Sequence, residues 1–162
     1  MAAEMAQVAE RSPRARDPLA SHIRVPKGRA ATWRAVESLA ARCKSERRHG
    51  RQVAGLALHI FDGLASMHGL GRTERFLLAC GAMLHDIGWL AGGGSHHKAS
   101  LRLILESADL PFNRRERLMV GSIARYHRKA SPRLAHGHFA ALAARDRGVV
   151  EKLAALVRLA DG

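Results

Sequence analysis

The chain has 162 residues, about one domain, long enough to bury roughly two-thirds of its unfolded surface. Hydrophobic residues make up 47% and aromatics only 4%, with Ala prominent, which favours close-packed helices and argues against a strand-rich core. A formal net charge of +13 at pH 7 attracts polyanions, and the lack of any ~20-residue apolar run excludes a helical membrane span.

Residues 1–28 carry Pro13, Pro18 and Pro26 among scattered charge and show no apolar period, which predicts a flexible basic tail ahead of a domain over 29–162. A first helix is predicted over 30–45, where Trp33, Val36, Leu39 and Ala40 recur at three and four. A second over 47–67 places Val53, Leu56, Ile60 and Leu64 on one face and stops at Gly69-Leu70-Gly71. A third over 73–87 turns Phe76, Cys80, Met83, Leu84 and Ile87 inward, with Gly88 in the C′ position. After the loop Ala91-Gly92-Gly93-Gly94-Ser95, a fourth helix covers 96–107 and ends before Leu110-Pro111. A fifth over 113–128 has Asn113 at its N-cap, a short one follows near 136–144, and a last runs from 147 to the end. With no competing strand pattern and no internal repeat, the fold class is all-α, a bundle of about six or seven helices. The chain stops two residues past Leu159-Ala160, in mid-helix and without a cap, as expected of a truncated or fraying end.

The N-terminus lacks the apolar core of a secretory signal, and two cysteines, Cys43 and Cys80, form no disulfide framework. Both point to a cytoplasmic protein. The high charge is equally the mark of an Arg-rich composition. Nucleic acid is disfavoured as a partner because stacking aromatics are scarce and no nucleic-acid motif is present. An Ala-rich helical surface with exposed Trp33 or Trp89 could support a homodimer.

A divalent ion bound by nitrogen and oxygen needs His and carboxylates converging from several elements, at positions where ordinary helices carry Leu. His49 shares a stripe with Val53, Leu56 and Ile60. His85 and Asp86 sit side by side in the last predicted turn of the third helix; both reach one ion only where that helix frays. His127 follows Val120 and Ile123 on one stripe, and Asp161 follows Ala154 and Val157 on another. A lone His on an apolar face is more often a hydrogen-bonded core residue, and Asp161 near the terminus is as readily exposed; five such residues in one chain favour a metal site. His59, His68, His136 and His138 fit no stripe and read as surface or loop.

The order His49, then His85-Asp86, then Asp161 in LADG resembles the H…HD…D signature of the HD phosphohydrolase superfamily. HGRQVAGLALHIFDGL, LHDIGWL, SHHKASLRLI, LPFNRRE, RYHRKASP and VVEKLAALVRLADG are similar to the C-terminal HD-like domain of exopolyphosphatases and guanosine pentaphosphate phosphohydrolases, over about residues 30–162. The resemblance implies an HD-domain helical bundle with His49, His85, Asp86 and Asp161 as ligands of a first metal. It implies His96 and His127 as ligands of a second, with His97 the alternative to His96. Ala99 stands where the family's HHKHS carries a His, and family members hold their established catalytic site in an actin-like region for which 162 residues leave no room. The expected activity is a metal-dependent phosphohydrolase acting on a phosphate ester or anhydride, polyphosphate or a phosphorylated nucleotide, through a metal-bound hydroxide. The cofactor is one or two divalent ions, Mn, Fe, Zn, Ni, Co or Mg. Asp86, Lys98 and Arg128 are the expected catalytic residues, and Lys98, Arg125, Arg128 and Lys129 are expected to bind the phosphates. The alternative is a non-catalytic polyphosphate- or nucleotide-binding module with a vestigial metal site.

Overall fold

A computed structural model describes residues 18–162, and every regular element among them is a helix. These are α1 (Ala30–Arg42), α2 (Arg47–Gly63), α3 (Ala65–His68), α4 (Arg72–Met83), α5 (Trp89–Gly92), α6 (His96–Glu106), α7 (Arg114–Arg125), α8 (Gly137–Ala140) and α9 (Ala144–Asp161), with 3-10 turns at Pro18–His22 and Gly93–Ser95. α3, α5 and α8 are single turns of 4 residues, and the other six helices build the bundle. The fold is all-α, as the periodicity predicts. No described helix is long and apolar enough to cross a membrane.

α2 and α4 form the centre and run antiparallel. The start of α2 meets the end of α4 at His49 and Asp86, and its end meets the start of α4 at Asp62 and Arg75. α2 buries Val53, Ala54, Ala57, Leu58 and Phe61, so its core face is rotated away from the expected stripe, leaving Leu56 and Ile60 at the edge. Small residues on that face, Ala54, Gly55 and Ala57, let neighbours approach where Leu would hold them off. A Cβ on Gly55 would stand 2.4 Å from the Leu19 carbonyl oxygen.

That contact belongs to the segment 18–28, which lies against the bundle: Ile23 and Val25 pack on the core, and Arg75 donates to the His22 carbonyl at 2.9 Å. Residues 1–17 of the expected tail lie outside the described residues.

α7 begins where its cap predicts. The Asn113 side chain accepts from the Glu116 N–H at 2.9 Å, and the Glu116 carboxylate accepts from the Asn113 N–H at 3.3 Å, a reciprocal capping box. Elsewhere the ends differ from the periodic pattern. α4 stops at Met83, four residues early, because Leu84–Gly88 forms a turn instead of another helical turn. Gly88 is therefore no C′ residue; its missing side chain lets the turn lie against α6, where a Cβ would stand 2.4 Å from both the His96 carbonyl oxygen and the Ser100 nitrogen. Trp33 is 9% exposed and belongs to the core, which corrects its expected place on the surface; Trp89 is 57% exposed.

Candidate metal centre

Five segments deliver the six predicted ligands. His49 comes from the first turn of α2, His85 and Asp86 from the turn after α4, His96 from the start of α6, His127 from just past α7, and Asp161 from the last residue of α9. One local device is used twice. Leu84 and Tyr126 are the C-caps of α4 and α7, and the residue after each is a buried His. The Nδ1 atoms of His85 and His127 lie 2.6 Å from the carbonyl oxygens of Ala82 and Ala124, each three residues back. A carbonyl only accepts, so Nδ1 carries the proton and Nε2 points onward, as a metal ligand requires.

Asp86 joins two donor groups. Its Oδ2 lies 3.3 Å from His85 Nε2 and 4.0 Å from His49 Nε2, while its Oδ1 lies 3.3 Å from His96 Nε2 and 3.4 Å from His127 Nε2. Asp161 Oδ1 completes the first group at 3.1 Å from His49 Nε2 and 3.3 Å from His85 Nε2. Donor atoms in each group lie within 4.8 Å of one another. A cation ~2.1 Å from every donor would space neighbouring donors roughly 3.0 Å apart in an octahedron and roughly 3.4 Å in a tetrahedron. Five of the six His–carboxylate separations, at 3.1–3.4 Å, match that range, and the sixth, His49 to Asp86 at 4.0 Å, is longer. His85 Nε2, Asp86 Oδ1 and His127 Nε2 are buried without a hydrogen-bond partner among the described residues, although opposite charges lie this close. They aim at shared points between them rather than at each other. Buried polar atoms left so are costly, and a cation at each point would satisfy them.

The charges agree with the geometry. Burial pushes the His85 imidazole down, but the carboxylates of Asp161 and Asp86 hold it up at about 9. The His85 imidazole 3.3 Å away holds the Asp161 carboxyl far below the usual range against the opposing effect of burial. Burial alone would raise Asp86; His85, with His127 and His96, outweighs it and keeps that carboxyl low. Burial pushes His127 down to about 4, so it is neutral at pH 7. Two ionised carboxylates and the neutral His127 suit a cation; His85, cationic at pH 7 beside those carboxylates, would release its Nε2 proton to ligate one.

Above the donors lies a cleft of ≈ 750 Å³. Of the four expected phosphate-binding residues, Arg128 and Lys129 line it. Lys98 is exposed on α6 outside its wall, and Arg125 is buried against the Tyr126 ring at 5.6 Å, so the structure brings neither to the cleft. His97 is buried with its ring 5.5 Å from that of His96, and it is His96 that faces Asp86. His59 is exposed, His68 bonds the Phe61 carbonyl at 2.8 Å, and His136 meets the Tyr126 hydroxyl at 2.7 Å.

Lys44, Glu46 and Arg158 also line the cleft and escaped the sequence reading. Arg158 was within reach of it, three residues before Asp161 on one helix. Lys44 and Glu46 arrive from the α1–α2 connection, which has no period to read. Lys44 and Lys129 are the two non-glycine residues with positive φ among those described, at 51° and 59°. Such backbone is costly for a side-chain-bearing residue and concentrates at functional sites; both lysines face this cleft.

Fold and donors together define an all-helical domain carrying a two-group His/Asp cage under a basic cleft. Residues 32–160 match the family described as Ppx/GppA phosphatase, domain III, and the chain belongs to that family. Among curated proteins it is similar to the guanosine-5'-triphosphate,3'-diphosphate pyrophosphatase of Vibrio vulnificus, 30% identical over 109 residues that make up 65% of this chain and 21% of that relative. The match thus spans about one fifth of the relative's length.

Proposed function

We propose that this chain is an HD-type metal-dependent phosphohydrolase domain acting on a phosphate ester or anhydride, either polyphosphate or a phosphorylated nucleotide. The observation that carries the reading is Asp86, whose two oxygens serve two separate donor groups as a bridging carboxylate would. His49, His85, Asp86 and Asp161 would hold one divalent ion, and Asp86, His96 and His127 a second. When bound, such ions supply Lewis-acid charge to a phosphoryl oxygen and lower the pKa of water.

The chain's own residues divide the remaining work. Carboxyls held as low as those of Asp86 and Asp161 stay ionised and accept protons poorly, which suits them to ligation rather than to general-base duty. Glu46, a cleft-wall carboxylate outside the donor groups, is the candidate to take the proton of an attacking water. Lys44 and Arg128 bind the phosphoryl oxygens. Arg158 is anchored on the Tyr126 and Ala130 carbonyls at 3.1 and 3.3 Å and sets the wall between them.

The purified chain is expected to carry stoichiometric divalent metal by elemental analysis and to hydrolyse a phosphorylated substrate in a broad screen, with Asp86→Ala abolishing both. The second reading, a polyanion-binding module, draws on the three protein donors of the second group and on Ala99. It predicts binding of tripolyphosphate with neither metal nor hydrolysis, and that result sinks the enzyme.

A further inference from the structure

The antiparallel α2–α4 pair has the candidate metal centre at one pole, and at the other a cleft of ≈ 680 Å³. Asp62 on this second cleft is 13 residues from His49 along α2, which separates the two sites by roughly 20 Å. Its lining is strongly one-sided: Arg24, Lys27, Arg72 and Arg75 against a single carboxylate, Asp62. That carboxylate is consumed. Arg75 grips it with two hydrogen bonds of 2.7 Å and donates also to the His22 carbonyl, tying the 18–28 segment to the bundle as a fixed wall. The guanidinium holds the Asp62 carboxyl below its usual range, so the pair stays ionic at neutral pH.

Arg24, Lys27 and Arg72 are left around the opening without an ion-pair partner among the described residues. Arg72 is the first residue of α4, where the positive end of a helix disfavours a cation, and Arg75 shares that first turn. Glu74 in the same turn offsets part of that repulsion, and an anion opposite Arg72 would offset more. His22, Val25, Pro26 and Phe76 complete the lining and contribute no negative charge.

We infer that this far cleft is a second anion site, which takes a chain of linked phosphates through Arg24, Lys27 and Arg72. The inference stands independently of the metal centre. Recognition is by charge and spacing, so inorganic polyphosphate and the phosphate tail of a nucleotide present the same group to it.

The test is calorimetric titration of the full chain with inorganic tripolyphosphate in the presence of chelator, at fixed ionic strength. Tripolyphosphate is expected to bind the parent, and binding should weaken about tenfold or more in Arg24→Glu/Arg72→Glu, both exposed positions. It should persist in Lys44→Glu/Arg128→Glu, which removes the proposed phosphate-binding residues of the metal-centre cleft and so separates the two sites; its loss there would overturn the inference. Arg34→Glu/Arg102→Glu, also exposed but away from the cleft, makes the same change in net charge and should weaken binding far less. Adenosine triphosphate binding as well as tripolyphosphate assigns recognition to the phosphate chain; binding by adenosine itself would overturn it. Equal losses in the two double variants, retention in Arg24→Glu/Arg72→Glu, or no binding by the parent would each overturn it. So would a single-stranded RNA oligonucleotide that outcompetes tripolyphosphate at these residues, which would make the cleft a nucleic-acid site.

Discussion

Lys44 and Lys129 hold left-handed backbone that glycine would adopt more cheaply, and both stand on the wall of the metal-centre cleft. The side chain at such a position is kept against its conformational cost of roughly 1 kcal/mol. Lys44→Gly should therefore leave stability unchanged or raise it by at most about 1 kcal/mol, read from urea midpoints. The same variant should raise KM for a phosphorylated substrate while kcat changes little. Lys44→Ala keeps the strain and loses the charge, so it should share the KM effect without the gain in stability. An unaltered KM in both would remove Lys44 from phosphate binding. At this scale the sequence was legible wherever a polar residue interrupted a helical period. His127 and Asp161 stood out in that way, and the structure places both among the donor atoms. The cap-derived bond that orients His85 and His127 was not legible, since it depends on where each helix stops.

Among elements, closeness of approach decides how well the donor groups are held. Gly88 follows Asp86 by two residues and touches α6 at the backbone of His96 and Ser100, and the Ser100 hydroxyl accepts from the Gly88 N–H at 2.9 Å. A methyl group there meets backbone rather than a yielding side chain. Gly88→Ala should push the Asp86 turn away from α6, costing about 1–3 kcal/mol of stability. If both donor groups take metal, elemental analysis should show the loaded Gly88→Ala protein fall from about two ions per chain to about one; a fall to none would refute the local account. From sequence Gly88 read as a helix stop, because a glycine that ends a helix and one that admits a neighbour look alike in one dimension. A second inter-element contact has a pH signature. Asp146, buried at the start of α9, accepts two hydrogen bonds from Arg115 of α7 at 2.5 and 2.7 Å. That bond holds its carboxyl below the ordinary value, so the stabilisation is complete above the unfolded pKa of about 4 and is lost as pH falls through the folded one. Asp146→Asn should cost about 1 kcal/mol at pH 7, modest because Arg115 is half exposed, and the gap to the parent should close below about pH 4.

For the whole molecule, the helical periods settled the class of fold, since six long helices with short connections can bury their stripes in few ways. They did not settle where the ends of those helices converge. The candidate ligands come from α2, the turn after α4, α6, the segment after α7 and α9, so they span nearly the whole described chain from His49 to Asp161. In the proposed holo form, ions at Asp86 would cross-link elements that otherwise meet through apolar contact, and they would hold the last residue of α9 to the first turn of α2. Ligation to the folded state alone stabilises it by mass action, about 2.7 kcal/mol when free metal is a hundredfold above its Kd. For a chain of this size that gain corresponds to roughly 5–10 °C in Tm. Chelation should lower the melting temperature of the loaded protein by that amount, and added divalent metal should restore it. Asp86→Asn should melt at one temperature with or without chelator. Because melting reads binding without turnover, a parent Tm indifferent to both chelator and metal would dismiss the metal centre itself, whatever the substrate.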